Sequence, residues 1–314
     1  MKIWFPVVRA NTGVDLFSES LAAALERQGL QVVTQWFPKK YQYAPWLMRR
    51  FEAPKGTNIV LASSWNAFAF KRPGTRLVAV EHLFVHDPAY DEYRSSVQGL
   101  FHRVFVRRFE LAGDRQADRV VAVSQYTANI YRDCFATDMP RVILNGIDTD
   151  FFCPATQGVE KADTGPFRIL FVGTFSRRKG SDLLPRIMSL LDSGVELSYT
   201  HASSSATPFE NISGFRNLGR LDREQVRAEM RRADLLLFPT RLEGAPLVVM
   251  EAMACQTPVV ASNVVSLPEI IDHGETGLLC EVDDVEGFAR AVSSLRENPA
   301  EILRMGIAAR ESIV

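Results

Sequence analysis

Residues 239–261 read PTRLEGAPLVVMEAMACQTPVVA, and this segment decides the fold of the chain. The apolar run 235–238 before it predicts a buried strand. After a short loop, residues 247–255 are mostly helix formers, and Pro246 suits the first position of a helix because its missing N–H costs nothing there. The apolar run 258–261 predicts another buried strand. The segment therefore indicates a strand–loop–helix–strand unit of a parallel α/β sheet.

Two glutamates flank the point where the loop meets the helix, Glu243 in the loop and Glu251 in the helix. A helix N-terminus at the carboxyl end of a parallel strand attracts anions, and open α/β sheets bind ligands at this edge. Each carboxylate can accept two hydroxyl hydrogen bonds, so the pair suits a sugar and a ribose. The alternative is that both side chains are simply solvated. For Glu251 the apolar surroundings argue against this, because an unpaired buried charge is costly.

The two glutamates and their surroundings resemble the E-x7-E segment of retaining glycosyltransferases of family 4, which have the GT-B fold. The resemblance covers most of residues 115–295 and is weaker over the first hundred. It implies an α/β protein of two Rossmann-like domains that face each other across a cleft. Three further matches occur in the family's order: NGIDTDF at 145–151, FVG at 171–173 with KG at 179–180, and GETGLL at 274–279.

The length of the chain, 314 residues, also predicts two domains, because a single core rarely serves more than about 250–300 residues. The polar stretch 155–166 contains Gly and Pro and reads as a linker. We therefore predict an N-terminal acceptor-binding domain at 1–154 and a C-terminal domain at 155–314 that binds the nucleotide-sugar donor. The net charge of −1 argues against general nucleic-acid binding, although the first half is the more basic one.

Composition bears on the compartment as well. The four cysteines are scattered, which favours reduced thiols over a disulfide framework or a zinc site. No apolar run reaches the ~18 residues that a membrane span needs. Residues 1–8 look like a strand and are too short for the apolar region of a signal peptide. We therefore expect a cytoplasmic protein.

The N-terminal half reads as a series of βα units. Strands predicted at 2–8 and 30–37 flank an amphipathic helix at 16–28, which Gly29 would end. The resemblance implies that the loop around Gly13 borders the donor phosphates or the acceptor; a tight turn is the alternative explanation for this glycine.

A histidine follows one of the later strands of this domain. The strand predicted at 76–80 runs directly into His82, at the edge that would face the cleft. Relatives often carry a functional histidine near this strand end that contacts the donor sugar, so the resemblance implies His82 as catalytic, with His86 as the runner-up. The alternative is a structural role, which is the commoner one for a lone histidine. Further strands are predicted at 58–62 and 141–144, and a βα junction at 118–124.

The loop GTFSRRKG at residues 173–180 is a second candidate for anion binding. It lies between a strand predicted at 167–172 and a helix predicted at 181–191. Backbone N–H groups, the helix dipole and three cations converge there, which suits a diphosphate. The loop is not a Walker loop, because its lysine precedes the glycine.

The resemblance assigns the diphosphate contact in this loop to Lys179. Relatives usually have an arginine directly after the first glycine of the loop, where this chain has Thr174. Either Arg177 or Arg178 must supply the charge, or it is missing; we favour Arg178, with an ordinary solvated helix start as the alternative.

The rest of the second half carries the predicted base contact and several helices. The segment 211–221 resembles the stretch that packs along the nucleotide base, where Arg220 would touch the base mostly through backbone atoms. Members of the family usually continue into a helix that crosses back onto the first domain, whereas this sequence stops at Val314, which fits either a short protein or a trimmed one. Helices are predicted at 222–233, with Asp222 as N-cap, and at 267–273, 284–295 and 299–312, and a strand at 278–281.

The resemblance implies a retaining, hexosyltransferase-type enzyme of cell-envelope polysaccharide synthesis that moves a sugar from a UDP- or GDP-sugar to a glycan, lipid-linked or lipopolysaccharide-type acceptor. It would need no cofactor and no metal, since no suitable Asp-x-Asp pair is present. Lys179 and an arginine would stabilise the departing diphosphate. Glu243 would bind the sugar hydroxyls and Glu251 the ribose. The backbone N–H groups of Ala245, Pro246 and Leu247 would cradle the sugar and phosphate.

Residues 38–55 interleave basic and aromatic side chains, which suits the headgroup layer of an anionic bilayer. This favours peripheral contact with the inner face of the cell membrane; the alternative is a surface helix that buries Trp46, Leu47 and Phe51 against its own domain. Residues 100–109 repeat the pattern and read as a core helix with a cationic face.

Two other function classes remain open. One is a different GT-B enzyme, such as a sugar-nucleotide epimerase or a phosphorylase, which the products formed from a sugar nucleotide would distinguish. The other is a non-catalytic protein that binds nucleotide sugars, which the altered Thr174 keeps open.

Overall fold

The computed structural model describes residues 1–10, 13–155, 165–201, 209 and 212–314. Contacts divide the chain into two compact units, Met1–Gly146 and Ile147–Val314. The division comes earlier than the predicted boundary after Pro154, because Phe152 is buried in a core cluster of the second unit. Most of the predicted linker, residues 156–164, lies outside the described residues.

The first unit is built on one parallel sheet. Its strands are β1 (Lys2–Val8), β2 (Gln31–Phe37), β3 (Ile59–Ser63), β4 (Arg76–Glu81), β5 (Arg119–Ala122) and β6 (Arg141–Val142), and its helices are α1 (Gly13–Arg27), α2 (Ser96–Phe101), α3 (Arg107–Gln116) and α4 (Gln125–Phe135). The strand order is β2-β1-β3-β4-β5-β6. The strands predicted here are confirmed, except that β6 covers only the first half of the stretch predicted at 141–144, and their carboxyl ends share one edge.

Two stretches of the first unit differ from the sequence prediction. The helix α1 begins at Gly13, before its predicted start. No long surface helix forms over residues 38–55; two short 3₁₀ turns, Lys39–Gln42 and Pro45–Arg50, replace it. Pro45 lies in the first turn of the second of these and cannot continue a preceding helix, because it has no N–H and its ring clashes with the previous turn.

The second unit has a parallel sheet of the same size. Its strands are β7 (Phe167–Phe171), β8 (Val195–Tyr199), β9 (Phe215–Asn217), β10 (Leu235–Phe238), β11 (Val259–Ser262) and β12 (Gly277–Cys280), and its helices are α5 (Leu184–Met188), α6 (Arg223–Arg232), α7 (Leu247–Ala254), α8 (Val285–Glu297) and α9 (Pro299–Ile313). The strand order is β12-β11-β10-β7-β8-β9. This is the order of a doubly wound Rossmann sheet.

The strand order places two loops side by side. Strands β7 and β10 are neighbours, with Leu235 paired to Ile169, although they are far apart in sequence. From this pair the chain proceeds outward in opposite directions, which makes their carboxyl ends the topological switch point of the sheet. The loops that follow β7 and β10 are therefore the ones placed to form a ligand site.

Strand β10 is buried on both faces. Leu235 and Leu237 belong to one core cluster, whereas Leu236 and Phe238 belong to another. Since successive side chains of a strand point to opposite faces, the sheet has a core on each side. This confirms the prediction of a parallel, doubly covered strand.

Helix ends follow local signals, with two exceptions. Asp222 forms a capping box with Gln225 at the start of α6, which confirms its predicted N-cap role. The helices predicted at 181–191 and 267–273 are shorter: only α5 and a 3₁₀ turn, Leu267–Glu269, form there. Each carries a proline in its first turn, and this residue sets where the turn begins.

No helix among the described residues is both long enough and apolar enough to cross a membrane.

Candidate active site

Glu243 is the centre of a charged cluster in the loop between β10 and α7. The residue is 8% exposed. Its Oε1 atom forms an ion pair with Lys179 Nζ, lies 3.1 Å from Arg178 Nη1 and accepts a hydrogen bond from Thr240 Oγ1 at 3.1 Å. The structure therefore brings Arg178 and Lys179, both predicted to bind the donor, into contact with Glu243. Thr240 was not predicted from the sequence.

Arg177–Lys179 form a short 3₁₀ turn, called here the cationic turn. Ser176 begins it, with its side chain accepting from the Lys179 N–H. Gly180 ends it in the left-handed region at φ 72°. The Lys179 ammonium lies 5.3 Å from the centre of the Phe238 ring, so this cation sits at the carboxyl end of β10.

The two arginines of the turn lie in different surroundings. Arg178 Nη1 donates to the carbonyl of Leu242 at 2.5 Å and also contacts Glu243. Among the described residues, the Arg177 side chain makes no such contact. The geometry therefore favours Arg178 as the arginine beside Lys179, while its phosphate contact stays a prediction.

Glu251 lies in α7 and is 9% exposed. Burial raises the pKa of its carboxyl to about 7, and Arg223 opposes the shift. Among the described residues its side chain has no hydrogen-bond partner, so both oxygens remain able to accept hydroxyl protons from a ligand. Ribose binding by Glu251 stays a prediction.

The start of α7 limits which N–H groups could hold a donor. The helix begins at Leu247, and Pro246 is its N-cap. Pro246 has no N–H and cannot donate, so the prediction of three donors at Ala245, Pro246 and Leu247 is wrong for the proline. The N–H of Leu247 lies in the first helical turn, where helices leave donors without an intrahelical partner.

His82 follows β4 in the first unit. Its ring packs edge-on against Phe17 of α1, with the ring centres 4.6 Å apart. Burial lowers its pKa to about 4, so the imidazole is neutral near pH 7 and can donate or accept one hydrogen bond.

His86, the runner-up, lies beside a buried glutamate. Its Nε2 atom lies 3.0 Å from Oε2 of Glu110 in α3, although the two are not aligned as a good hydrogen bond. Burial lowers the pKa of His86 to about 4 and raises that of Glu110 to about 8, so both groups are neutral at pH 7. The place of His86 as runner-up to His82 stays a prediction.

Gly13 and Arg220 are less defined by the structure. Gly13 is the first residue of α1; its φ is not positive, and a Cβ placed there would meet nothing within 4 Å, so neither backbone conformation nor lack of space requires a glycine. The neighbouring residues 11–12 lie outside the described part. Arg220 is exposed, and it follows the edge strand β9. Its contact with a base stays a prediction, and Asn211 of the same predicted segment is not described.

In the described ranges, no group of three or more His, Cys, Asp or Glu side chains could hold a metal ion. Metal independence nevertheless remains a prediction about the reaction.

Comparison with known proteins finds a family match in each unit. Residues 14–151 match the family described as Glycosyltransferase Family 4, and residues 166–298 match Glycosyl transferases group 1. The glycogen synthase of Mycobacterium tuberculosis (strain H37Rv) is 30% identical over 211 residues, 63% of this chain and 50% of that protein. The chain spans about half the length of the curated relatives it matches.

Solved structures show the same fold. The sucrose-phosphate synthase from Thermosynechococcus elongatus superposes with a TM-score of 0.83 at 20% identity, over 100% of this chain and 94% of that one. Anabaena HepE in complex with UDP-glucose superposes with a TM-score of 0.73 at 18% identity, over 99% and 94%. The fold class predicted from the sequence is confirmed.

Proposed function

Because the chain belongs to the GT-B glycosyltransferases that join a Glycosyltransferase Family 4 domain to a Glycosyl transferases group 1 domain, we propose that it transfers a sugar from a nucleotide-sugar donor to an acceptor hydroxyl. The observation that supports this proposal most is the cluster of Lys179, Arg178 and Glu243 at the switch point of the second sheet. Two cations facing one carboxylate leave an excess positive charge, which attracts a diphosphate.

In the proposed reaction each residue of the cluster has one role. The diphosphate of the donor takes the place of Glu243 as the partner of Lys179 and Arg178. The Glu243 carboxylate then accepts hydroxyl hydrogen bonds from the donor sugar. The two cations stabilise the charge that develops on the departing diphosphate, without a metal and with retention at the anomeric carbon. His82 stays the proposed contact of the first unit with the donor sugar.

Glu251 gives the proposal a pH signature. Only the ionised carboxylate can accept from both ribose hydroxyls, and its pKa in the free protein is raised to about 7. Below pH 7 a proton must leave before the nucleotide binds, so we expect the affinity for UDP or GDP to fall ~10-fold for each pH unit below this value.

Titration calorimetry of wild type and Glu251→Gln between pH 5.5 and 8.5, in ~1-unit steps, checks this expectation. The phosphate of the nucleotide titrates near pH ~6 in both proteins, so the ratio of their affinities isolates the carboxyl. The affinity of wild type divided by that of Glu251→Gln should be near one at low pH and should grow toward pH 8. A ratio that does not change with pH would contradict ribose binding by ionised Glu251.

The identity of the donor is part of the proposal. A UDP- or GDP-sugar is expected, and the complex of Anabaena HepE with UDP-glucose, a similar fold, favours UDP. Thermal unfolding against a panel of UDP, GDP, ADP and their sugar conjugates tests this, because a ligand that binds only the native state raises Tm. Product analysis with the best ligand separates transfer from epimerisation, phosphorolysis and binding without turnover. No Tm shift with any of these nucleotides would overturn the proposal.

The acceptor side of the proposal rests on a surface of the first unit. Two segments far apart in sequence meet there: the ring of Tyr43 lies 6.1 Å from that of Phe101, and the ring of Trp46 lies 5.8 Å from that of Phe109. Residues 100–109 are helical, with His102 and Val106 buried and Arg103 and Arg108 exposed, which agrees with the core helix with a cationic face that we predicted. We call the surface formed by these two segments the aromatic–basic face; the exposed side chains of the two segments include Tyr43, Trp46, Leu47, Leu100, Phe105, Arg49, Arg103 and Arg108.

An anionic bilayer fits this face best. Exposed aromatic and aliphatic side chains can enter the headgroup layer while the arginines pair with lipid phosphates. We therefore propose that the protein works at the inner face of the cell membrane on a lipid-linked, glycan or lipopolysaccharide-type acceptor of envelope polysaccharide synthesis. A second copy of the chain is the competing occupant.

Replacing Trp46 and Leu47 together by serine should weaken binding to vesicles with ~30% phosphatidylglycerol at least ~10-fold, because each large apolar side chain contributes ~1.5–3 kcal/mol when buried. Leu303→Ser is the control, since Leu303 is 63% exposed in the second unit. Co-sedimentation measures the binding. Equal binding by the double variant and the control would contradict the lipid contact, and a protein that dimerises through this face would point to the second copy.

A further inference from the structure

Arg241 is a buried cation that the sequence did not single out. It lies two residues before Glu243, in the loop after β10, and is 6% exposed. Burying a charge is costly unless it is paired and hydrogen-bonded. At Arg241 this cost is offset, because every nitrogen of its guanidinium has a hydrogen-bond acceptor.

The partners of this guanidinium come from three separate segments. Nη1 and Nη2 form a bidentate ion pair with the carboxylate of Asp182, at 2.8 and 2.9 Å. Nε donates to Asp283 at 2.6 Å. Nη1 also donates to the backbone carbonyl of Arg177, the first residue of the cationic turn. One side chain therefore connects the turn, the segment that leads into α5, and Asp283, which lies two residues before α8.

The backbone beside Arg241 strengthens the same connection. Its N–H donates to the carbonyl of Arg178 at 2.8 Å, and the Thr240 hydroxyl lies 3.1 Å from that carbonyl. Groups in the loop after β10 thus bind the carbonyl groups of the turn. On the other side of the turn, the side chains of Arg178 and Lys179 reach Glu243 of the same loop.

Asp283 shows that the arrangement is specific. This aspartate has φ 65°, a left-handed conformation that is uncommon for a residue with a side chain. Its carboxylate accepts from Arg241, and such a conformation persists when the surroundings fix it.

We propose that Arg241 is a positioning residue: it does not touch the donor, but it fixes the cationic turn at the distance from Glu243 that a diphosphate requires. Its donors are already taken by Asp182, Asp283 and the turn, so none is left for a ligand. The inference rests on the proposed function, because it assigns the turn to the diphosphate of the donor.

The chain contains a closely matched control. Arg304 also pairs with two acidic residues and a backbone carbonyl, namely Glu301, Glu275 and Gly274. None of these partners belongs to the cationic turn, and the side chain of Arg304 is 44% exposed. Arg304→Gln therefore removes a similar set of hydrogen bonds without altering the support of the turn.

The test compares the affinities of UDP and UMP, and of GDP and GMP, for folded wild type, Arg241→Gln, Arg241→Lys and Arg304→Gln. The turn is proposed to hold the diphosphate, and a monophosphate lacks the outer phosphate, so Arg241→Gln should weaken the diphosphate ~10-fold or more and the monophosphate less than ~3-fold. Arg241→Lys should weaken diphosphate binding almost as much, because a lysine keeps the charge but cannot form the bidentate pair. Asp182→Asn should give a smaller loss of the same kind.

The outcomes separate the two proposals. Equal weakening of diphosphate and monophosphate by Arg241→Gln, or affinities like those of Arg304→Gln, would overturn the positioning role while the proposed function stands. A wild-type affinity of Arg241→Lys for the diphosphates would also overturn it, since charge alone would then suffice. A wild-type protein that binds none of the four nucleotides would overturn the proposed function and the positioning role with it.

Discussion

Lys179→Ala should lower the rate of sugar transfer, measured as kcat, by ~10²–10³-fold, the loss expected when one preorganised group that stabilises developing charge is removed. The ammonium of Lys179 is held between Glu243 and the ring of Phe238, so it is in place before the donor arrives. Arg178 cannot move over to replace it, because its guanidinium is already bound to the carbonyl of Leu242.

The folded state should tolerate this change. Glu243 would keep Arg178 and Thr240 as partners, so the buried carboxylate is not left alone. Lys179→Arg should retain part of the activity, since it preserves the charge but not the compact ammonium. Release of nucleoside diphosphate from the donor measures the rate, and Lys71→Ala, which removes an ion pair with Asp118 in the first unit, is the control. A kcat for Lys179→Ala equal to that of the control would refute the role.

The sequence was sufficient to predict the elements around the switch point. The apolar run of β10, the glutamates and the strand β11 follow from local composition, and the structure has them where they were predicted. The sequence alone did not show that Glu243 contacts Lys179 directly. Their contact depends on β7 lying beside β10, and strand order is a property of the whole sheet.

Arg241 was missed for the same reason. Its three partners belong to segments that approach only after the sheet has formed, and no local pattern marks an arginine that will be buried. Thr240 was missed because a hydroxyl before a glutamate is common in loops. Both residues become informative only when their burial is known.

The unit boundary shows a second limit of sequence reasoning. Residues 147–155 look like the end of the first domain, yet α6 holds them in the second unit. Arg223 and Arg227 pack over the ring of Phe151, and Arg231 donates to the carbonyl of Cys153 at 2.6 Å. These arginines recur once per helical turn along α6, but a spacing of this kind is equally typical of a solvated helix face. Only the packed aromatic rings show which role it has.

The short helices have a local explanation. The apolar spacing of residues 181–191 predicts a longer helix than α5, but Pro185 and Gly180 restrict where it can begin. In this segment the backbone constraint outweighs the periodicity, and it also fixes the end of the cationic turn.

Gly180→Ala should be among the most destabilising single-methyl changes in the chain. Gly180 has φ 72°, and a Cβ there would lie 1.9 Å from the carbonyl oxygen of Pro239, which is a backbone atom of the neighbouring loop. The left-handed conformation alone costs ~1–2 kcal/mol for a residue with a Cβ, and displacing packed backbone adds ~1–3 kcal/mol. We therefore expect a loss of ~3 kcal/mol or more in the free energy of unfolding, together with weaker binding of diphosphate, because the Pro239 loop carries Glu243.

Gly29→Ala separates the two causes of this loss. Gly29 has φ 79°, but a Cβ at that position would meet nothing within 4 Å, so only the conformational cost of ~1–2 kcal/mol applies. Urea unfolding followed by circular dichroism measures both variants, with a ligand-binding assay below the transition. The two units need not unfold together, so the transition that diphosphate shifts identifies the second unit. Equal losses of unfolding free energy in the two variants would mean that the loop of Pro239 moves easily to accommodate a Cβ. The close approach of Gly180 to Pro239 would then not fix the position of the cationic turn.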